Sequence, residues 1–166
     1  MTNPRQALAL IVVAAVASLA IALASQYWGG LRPCVLCLYQ RYPYGVVILI
    51  GLLGLAVADK PGWPRILLVL AGLVFLLDAG IAFFHVGVEQ KWWQGTAACG
   101  SNFDLNLSAE ELKDLLMNQP MARCDEVPWS LFGISMAGYN FIYAVLWGFY
   151  ALMAAARVDG AGMKPV

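Results

Sequence analysis

Long runs of apolar residues, separated by short polar segments, dominate the hydrophobic pattern of this chain. Four runs contain at most one charged residue each and lie approximately at residues 7–25, 42–58, 66–88 and 131–156. A helix needs about 20 residues to cross ~30 Å of hydrocarbon, and unbroken apolar runs indicate helices rather than barrel strands. The sequence therefore predicts an all-α integral membrane protein, a four-transmembrane-helix bundle with one membrane domain over residues 1–166.

Composition agrees with this fold class and excludes several others. Hydrophobic residues make up 61% of the 166 residues and charged residues 12%, whereas soluble domains average about 45–50% and about 25%. Ten Lys and Arg residues balance ten Asp and Glu residues, so no basic surface is expected to bind nucleic acid. The chain contains one histidine and neither an HExxH motif nor a Gly-rich phosphate loop.

The first apolar run also has features of a secretory signal peptide. Arg5 precedes it, and the segment Ala22-Leu23-Ala24 imitates a cleavage site. Its apolar stretch of about 19 residues is longer than the usual ~7–15-residue core of a signal peptide. We therefore expect a retained transmembrane helix.

Four spans place the loops at approximately residues 26–41 and 89–126 on the same side of the membrane. Basic residues are denser in the termini and in the link between spans two and three, which predicts that these segments are cytoplasmic. Disulfides persist outside the cytosol, which favours the same orientation. The outward-facing loops contain all four cysteines, namely Cys34, Cys37, Cys99 and Cys124.

Cys34 and Cys37 form a CxxC pair at the entry to the second span. A crosslink across so short a loop stabilises a fold little. No second CxxC completes a zinc ribbon, and the residue after the pair is Leu38 rather than the histidine of a haem attachment motif. Pro33 disfavours helix just before the pair, so Cys37 is expected near a helix N-terminus, which stabilises a thiolate. A redox role is favoured, with half a zinc site or a chance pair as alternatives.

Arg41 follows Cys37 by four residues and is predicted to lie on the same helical face. It would add a permanent positive charge beside a thiolate, or it would only anchor the helix at the membrane boundary.

Cys99 and Cys124 are either redox-active or an ordinary structural disulfide. The glycines around Cys99 predict an exposed segment that a partner could reach, and a capping box at residues 108–111 followed by leucines predicts a short amphipathic helix in this loop.

The third span carries the other candidate polar residues. His85 and Glu89 are spaced i, i+4 near its outer end. We expect His85 to handle protons or contact a ligand, with a simple interfacial hydrogen bond as the alternative. Asp78 lies deeper on nearly the same face and is expected to be structural, either protonated or bonded to a neighbouring helix.

Together these features resemble the DsbB family of bacterial inner-membrane disulfide oxidases. The resemblance covers nearly the whole chain and is carried by the four spans, the PCVLC segment at residues 33–37 followed by Arg41, the distal cysteine pair, and the stretch from His85 to Cys99. The vitamin K epoxide reductase family shares a four-helix bundle but carries its CxxC near the last core helix. Here the CxxC opens the second span, which favours DsbB.

The resemblance implies an electron path through the four cysteines. A periplasmic thioredoxin-fold protein of the DsbA type would attack the Cys99–Cys124 disulfide at Cys99. Electrons would pass through a transient Cys34–Cys124 bridge to the CxxC pair. Both termini would be cytoplasmic, and the cysteine loops would be periplasmic.

The same resemblance implies ubiquinone or menaquinone as the electron acceptor. Cys37 would be the thiolate that faces the quinone, Arg41 would contact a ring oxygen, and His85 would lie nearby. Several family members have Glu before the arginine where this chain has Gln40, which leaves open whether Glu89 or Asp78 handles protons.

Three alternatives remain at this point. The first is a DsbI-like oxidase dedicated to a specialised partner, and the second is a non-catalytic four-span protein with structural disulfides. The third is a membrane protein that binds a metal through its four thiolates. The sequence also leaves the resting pairing of the cysteines open.

Overall fold

The computed structural model describes residues 3–99 and 122–158. Helical segments long and apolar enough to cross a membrane occur four times in these ranges, as predicted. The amphipathic helix predicted in the second loop lies outside the described residues. The elements in chain order are α1 (Pro4–Tyr27), α2 (Val35–Tyr39), α3 (Arg41–Ala56), α4 (Trp63–Glu89), a 3-10 turn (Ala97–Cys99), β1 (Ser130–Leu131), β2 (Ile134–Ser135) and α5 (Met136–Val158).

The second span begins earlier than the apolar pattern predicts. Helices α2 and α3 together form one segment, Val35–Ala56, and Cys34 caps its N-terminus by accepting a hydrogen bond from the backbone N–H of Cys37. Side-chain capping satisfies one of the free N–H groups of the first turn. The CxxC pair is therefore part of the helix start rather than of a loop before it.

The last span begins at Met136, five residues later than predicted. The preceding residues form a two-stranded antiparallel hairpin in which Ser130 pairs with Ser135. Phe132 and Gly133 form its turn with φ values of 50° and 78°, the left-handed values that a tight two-residue hairpin requires. Because the hairpin residues are apolar, hydropathy alone assigns them to the first turn of the helix.

Small residues allow the helices to approach closely. In the α4–α5 contact, a Cβ added at Gly72 would lie 3.1 Å from the backbone oxygen of Gly148. In the α1–α3 contact, Gly51 faces the side chain of Val12. Interfaces of this kind gain van der Waals contact where lipid offers no hydrophobic driving force.

At one end of the bundle, Arg5 and Asp59 form an ion pair with an Nη2–Oδ2 distance of 2.5 Å, which joins the N-terminus to the link after α3.

Replacing Gly72 with alanine is expected to destabilise the bundle by about 1–3 kcal/mol, because the new methyl group overpacks the α4–α5 interface. It would lie 2.9 Å from Cγ of Leu152 as well as against the Gly148 backbone. The matched control is Gly80→Ala in the same helix, where nothing lies within 4 Å; it should be neutral or stabilise by roughly 0.5–1 kcal/mol. Thermal unfolding in detergent measures both, and equal melting temperatures would contradict the close approach.

Candidate redox site

The CxxC pair is a reduced pair at a helix N-terminus. Neither Cys34 nor Cys37 is disulfide-bonded, and their sulfur atoms lie 2.7 Å apart in a hydrogen bond. The hydrogen bond to Cys37, together with burial, raises the pKa of the Cys34 thiol. This shift favours Cys34 as the donor in the hydrogen bond between the two sulfurs and Cys37 as the acceptor. Cys37 lies in the first helical turn, as predicted. The field of the helix N-terminus stabilises a thiolate at this position.

The second cysteine pair lies directly against the first. Cys99 and Cys124 form a disulfide with a Cα–Cα distance of 5.2 Å, which settles the resting pairing that the sequence left open. Both cysteines belong to one buried cluster with Cys34, Leu36 and Val88. One couple is thus oxidised and the other reduced, and they are in contact.

The segment that carries Cys124 is tied to the chain just before the CxxC pair. The backbone N–H of Ala122 donates to the carbonyl of Pro33 at 3.4 Å. Arg123 donates to both oxygens of Asp125 at 3.0 and 2.8 Å, and this pairing lowers the pKa of the Asp125 carboxyl. The Ala122–Pro33 hydrogen bond thus joins the two segments, and Cys124 and Cys34 lie in the same buried cluster.

The residues just before Cys99 are mostly exposed, as predicted, but the side chain of Cys99 is not. Its side chain is only 2% exposed and that of Cys124 is fully buried. A Cβ at Gly95 would lie 2.9 Å from Cβ of Cys99, so this glycine permits close packing over the disulfide. Thr96 contacts the Cys99 sulfur at 3.4 Å. A partner that attacks Cys99 must therefore first displace the segment around it.

His85 connects the two couples. Its Nε2 lies 3.5 Å from Sγ of Cys34, and its ring lies near the backbone of Cys124. The predicted i, i+4 neighbour Glu89 lies at 3.9 Å from Nε2 and accepts a hydrogen bond from the hydroxyl of Ser135. His85 thus lies at the contact between the cysteine pairs.

A buried polar network extends inward from His85. Gln40 lies between the imidazole and Asn140 of α5, and Asn140 donates to the Asp78 carboxyl at 3.0 Å. This contact agrees with the predicted bond between Asp78 and a neighbouring helix. Tyr44 donates to the Asn140 side-chain oxygen. Sequence reasoning missed Asn140 and Tyr44, although an Asn inside an apolar span is itself a signal of function.

A largely apolar cavity of about 830 Å³ opens beside the CxxC pair. Arg41 lines it, donating to Gln26 Oε1 at 2.7 Å and to the carbonyl of Ala22 at 3.5 Å. Its buried Nε has no hydrogen-bond partner among the described residues. The candidate residues on the cavity wall are Cys34, Cys37, Arg41 and His85. Its volume lies within the ~300–1,000 Å³ range of small-molecule sites.

One other chemistry fits part of this site. Sγ of Cys34, Sγ of Cys37 and a ring nitrogen of His85 all lie within 4.8 Å of one another. Two thiolates and one imidazole are a ligand set for Zn²⁺, with a fourth position left open. The sulfurs at 2.7 Å are closer than two Zn–S bonds of about 2.3 Å would place them in a tetrahedral site, so metal binding would need the pair to move apart.

A reduced CxxC pair in contact with a disulfide, inside a four-span bundle, is the arrangement of a membrane thiol–disulfide oxidoreductase. Comparison with known families agrees. The model of the family described as "Disulfide bond formation protein DsbB" matches residues 4–154, and the chain belongs to this family.

Curated relatives extend over nearly the full length of the chain. "Disulfide bond formation protein B" of Verminephrobacter eiseniae is 34% identical over 98% of this chain and 92% of that protein. The protein of the same name from Acidovorax sp. is 32% identical over 94% of this chain and 90% of that protein. An uncharacterized protein of Rickettsia prowazekii, RP370, is 30% identical over 80% of this chain. No solved structure matches.

Family membership confirms the resemblance stated from the sequence and supports a role as a membrane thiol–disulfide oxidase that forms disulfide bonds.

Proposed function

We propose that this protein reoxidises a periplasmic dithiol protein of the DsbA type and passes the electrons to a membrane quinone, ubiquinone or menaquinone. The observation that carries the proposal is the apolar cavity into which Cys37 and Arg41 both face. An electron acceptor that enters from the lipid would meet the reactive sulfur there without crossing water.

The two couples in contact support a relay of thiol–disulfide exchanges. A partner thiolate would attack Cys99 and release Cys124 as a thiolate. The second partner thiol would then displace Cys99, so that the partner leaves with a disulfide and the loop pair holds two more electrons. Once the acceptor has oxidised the CxxC pair to a disulfide, the Cys124 thiolate would attack Cys34 and release Cys37, and Cys99 would then displace Cys34 and restore the loop disulfide. The place of Cys124 in the same buried cluster as Cys34 supports this transient bridge.

The walls of the cavity fit a quinone ring. The lining is largely apolar, and the buried Nε of Arg41, which has no hydrogen-bond partner in the described part of the chain, is a donor that a ring oxygen would satisfy. When bound, a quinone supplies an acceptor for two electrons and two protons. The Cys34–Cys37 disulfide would form as those two electrons leave. The Cys34 thiol would give one proton, and the second, which Cys37 released when it became a thiolate, would come back from solvent. A fixed guanidinium beside an apolar cavity stabilises negative charge as it develops.

We further propose a bacterial inner-membrane location with both termini in the cytoplasm and the cysteine loops in the periplasm. The charge density of the termini and the link after α3 supports this orientation. The pairing of Cys99 with Cys124 in a disulfide supports an oxidising compartment for the other face, because disulfides are stable outside the cytosol.

The direct test is a turnover assay with the purified protein, a reduced dithiol partner and a soluble quinone analogue. We expect the quinone absorbance to fall as the partner becomes oxidised, one partner disulfide per quinone reduced. A non-catalytic protein would instead keep two thiols and one inert disulfide whatever the quinone supply. A panel of partners would reveal an oxidase dedicated to a specialised one.

Metal binding is the second candidate function, because the Cys34, Cys37 and His85 ligand atoms converge. Metal content after purification under reducing conditions decides it. A stoichiometric ion that blocks quinone reduction would favour this alternative, and turnover by a metal-free protein would exclude it.

Replacing Arg41 with alanine should raise the apparent KM for quinone by about 10-fold or more, because a hydrogen bond to a charged donor contributes roughly 1.5–3 kcal/mol. Arg41→Lys should recover part of the loss, because it keeps the charge. Arg5→Ala, at the exposed ion pair with Asp59, is the control and should leave KM unchanged. If Arg41→Ala lowers only the melting temperature, Arg41 is an interfacial anchor.

A further inference from the structure

We propose that Gln40 is a positioning residue that holds His85 in one tautomer, with the ring proton on Nε2, the nitrogen that faces Cys34. The assignment of the tautomer rests on hydrogen-bond geometry alone. Its consequence for electron transfer rests on the proposed function.

The orientation of the Gln40 amide is fixed by a neighbour that can only accept. Its Nε2 lies 3.2 Å from the backbone carbonyl oxygen of Leu36 and 2.9 Å from Nδ1 of His85. A carbonyl oxygen has no proton to give, so the amide must present its NH₂ group on this side. The same NH₂ group therefore donates its second proton to Nδ1.

The other end of the amide agrees with this orientation. Oε1 of Gln40 accepts from Nδ2 of Asn140 at 2.8 Å. The Asn140 amide is oriented in turn, because its Nδ2 also lies 3.0 Å from Oδ2 of Asp78 while its oxygen accepts from the Tyr44 hydroxyl. Reversing Gln40 would place two acceptors opposite each other at Leu36 and two donors opposite each other at Asn140.

The tautomer follows from the inventory of donors. A neutral imidazole has one N–H and one lone pair, and the lone pair on Nδ1 is already used by Gln40. The proton of His85 is therefore on Nε2. That nitrogen lies 3.5 Å from Sγ of Cys34 and 3.9 Å from Oε1 of Glu89, and the ring contacts the backbone of Cys124.

His85 is therefore a hydrogen-bond donor to the Cys34 sulfur and not an acceptor of its proton. A donor at this distance stabilises Cys34 while it carries negative charge, as it must when it leaves or attacks Cys124. The same proton occupies the nitrogen that a metal would need, so the tautomer also disfavours Zn²⁺ at the Cys34, Cys37 and His85 cluster. Gln40 would thus promote exchange and exclude a competing ion through one hydrogen bond.

The test uses the fact that the chain has one histidine, so that ¹⁵N labelling of the imidazole gives one unambiguous pair of ring signals. In the full-length reduced protein without quinone, we expect Nε2 to carry the proton. In Gln40→Glu, an ionised carboxylate can only accept, and we expect Nδ1 to become protonated. In Gln40→Met, we expect a mixture of both tautomers. The exposed Gln90 just after α4 offers the matched control, Gln90→Met, which should keep the wild-type signals.

Two further measurements separate positioning from a merely structural role. Zn²⁺ affinity of the reduced protein should rise about 10-fold or more in Gln40→Glu, since a carboxylate on Nδ1 is the outer partner that zinc-binding histidines use. Reduction of the CxxC pair by the loop cysteines should slow in Gln40→Met. A wild-type proton on Nδ1, or the same tautomer in Gln40→Met as in wild type, overturns the proposal. The ¹⁵N ring signals and the Zn²⁺ affinity are both measured without quinone. A failed turnover assay would therefore not contradict the tautomer assignment.

Discussion

Replacing Cys37 with serine is expected to abolish quinone reduction while the loop disulfide still captures a reduced partner. Cys37 lines the cavity together with Cys34 and Arg41, and the raised pKa of Cys34 favours Cys37 as the sulfur that accepts the hydrogen bond between them. A serine hydroxyl is not ionised at neutral pH and cannot form the Cys34–Cys37 disulfide. Without that disulfide the loop cysteines have no oxidised couple to reduce, so no electrons would reach the quinone.

Two assays distinguish the loss of quinone reduction from the capture of the partner. Quinone absorbance with a reduced partner should show no turnover above background, and non-reducing gels should still show a mixed disulfide between the partner and Cys99. Gly80→Ala, which nothing in the structure opposes, controls for handling of the purified protein. Unchanged turnover in Cys37→Ser would refute the assignment, and loss of partner capture as well would mean that the variant misfolds the shared cluster.

The features that local sequence determines were predictable. Hydropathy predicted four spans because each is a continuous run, and Pro33 predicted the helix start at the CxxC pair because it restricts the residue before it. The shared face of the four cysteines followed from counting spans. These inferences needed no knowledge of how the helices pack.

The features that depend on distant residues could not be predicted in this way. Gln40 and Asn140 are 100 positions apart, and neither is unusual within its own segment except for being polar. Gly95 suggested exposure because glycine is common in loops, but its missing side chain is what lets Cys99 pack beneath it. Apolar residues before Met136 suggested helix because hydropathy does not distinguish a hairpin from a first helical turn.

The proximity of the two cysteine pairs also limits how far the chain must move during exchange between them. Cys34, Cys99 and Cys124 share one buried cluster, so the exchange between couples requires a change of sulfur partner rather than a long movement. The slow event is expected at Cys99, which is 2% exposed and must be uncovered before a partner can attack it. Under the proposed function, oxidation of the partner and reduction of the acceptor would therefore be limited by different parts of the site.

Removing the loop disulfide with Cys99→Ser and Cys124→Ser together should produce the reverse of the Cys37→Ser result. Partner-driven turnover should be lost, because the partner has no disulfide to attack on the outer loop. A small dithiol such as dithiothreitol can reach the CxxC pair through the cavity, so its reduction of quinone should stay within a few-fold of wild type. The double variant leaves no unpaired loop thiol that could trap the partner.

The expected cost to stability must be checked in the same experiment. A disulfide that closes a loop of 25 positions stabilises by roughly 3 kcal/mol in the chain-entropy account, so the melting temperature should fall. Dithiothreitol-driven activity shows directly that the bundle and the cavity remain folded. If the partner still drives turnover at the wild-type rate in this variant, the partner attacks the CxxC pair itself, and the relay between two cysteine couples is wrong.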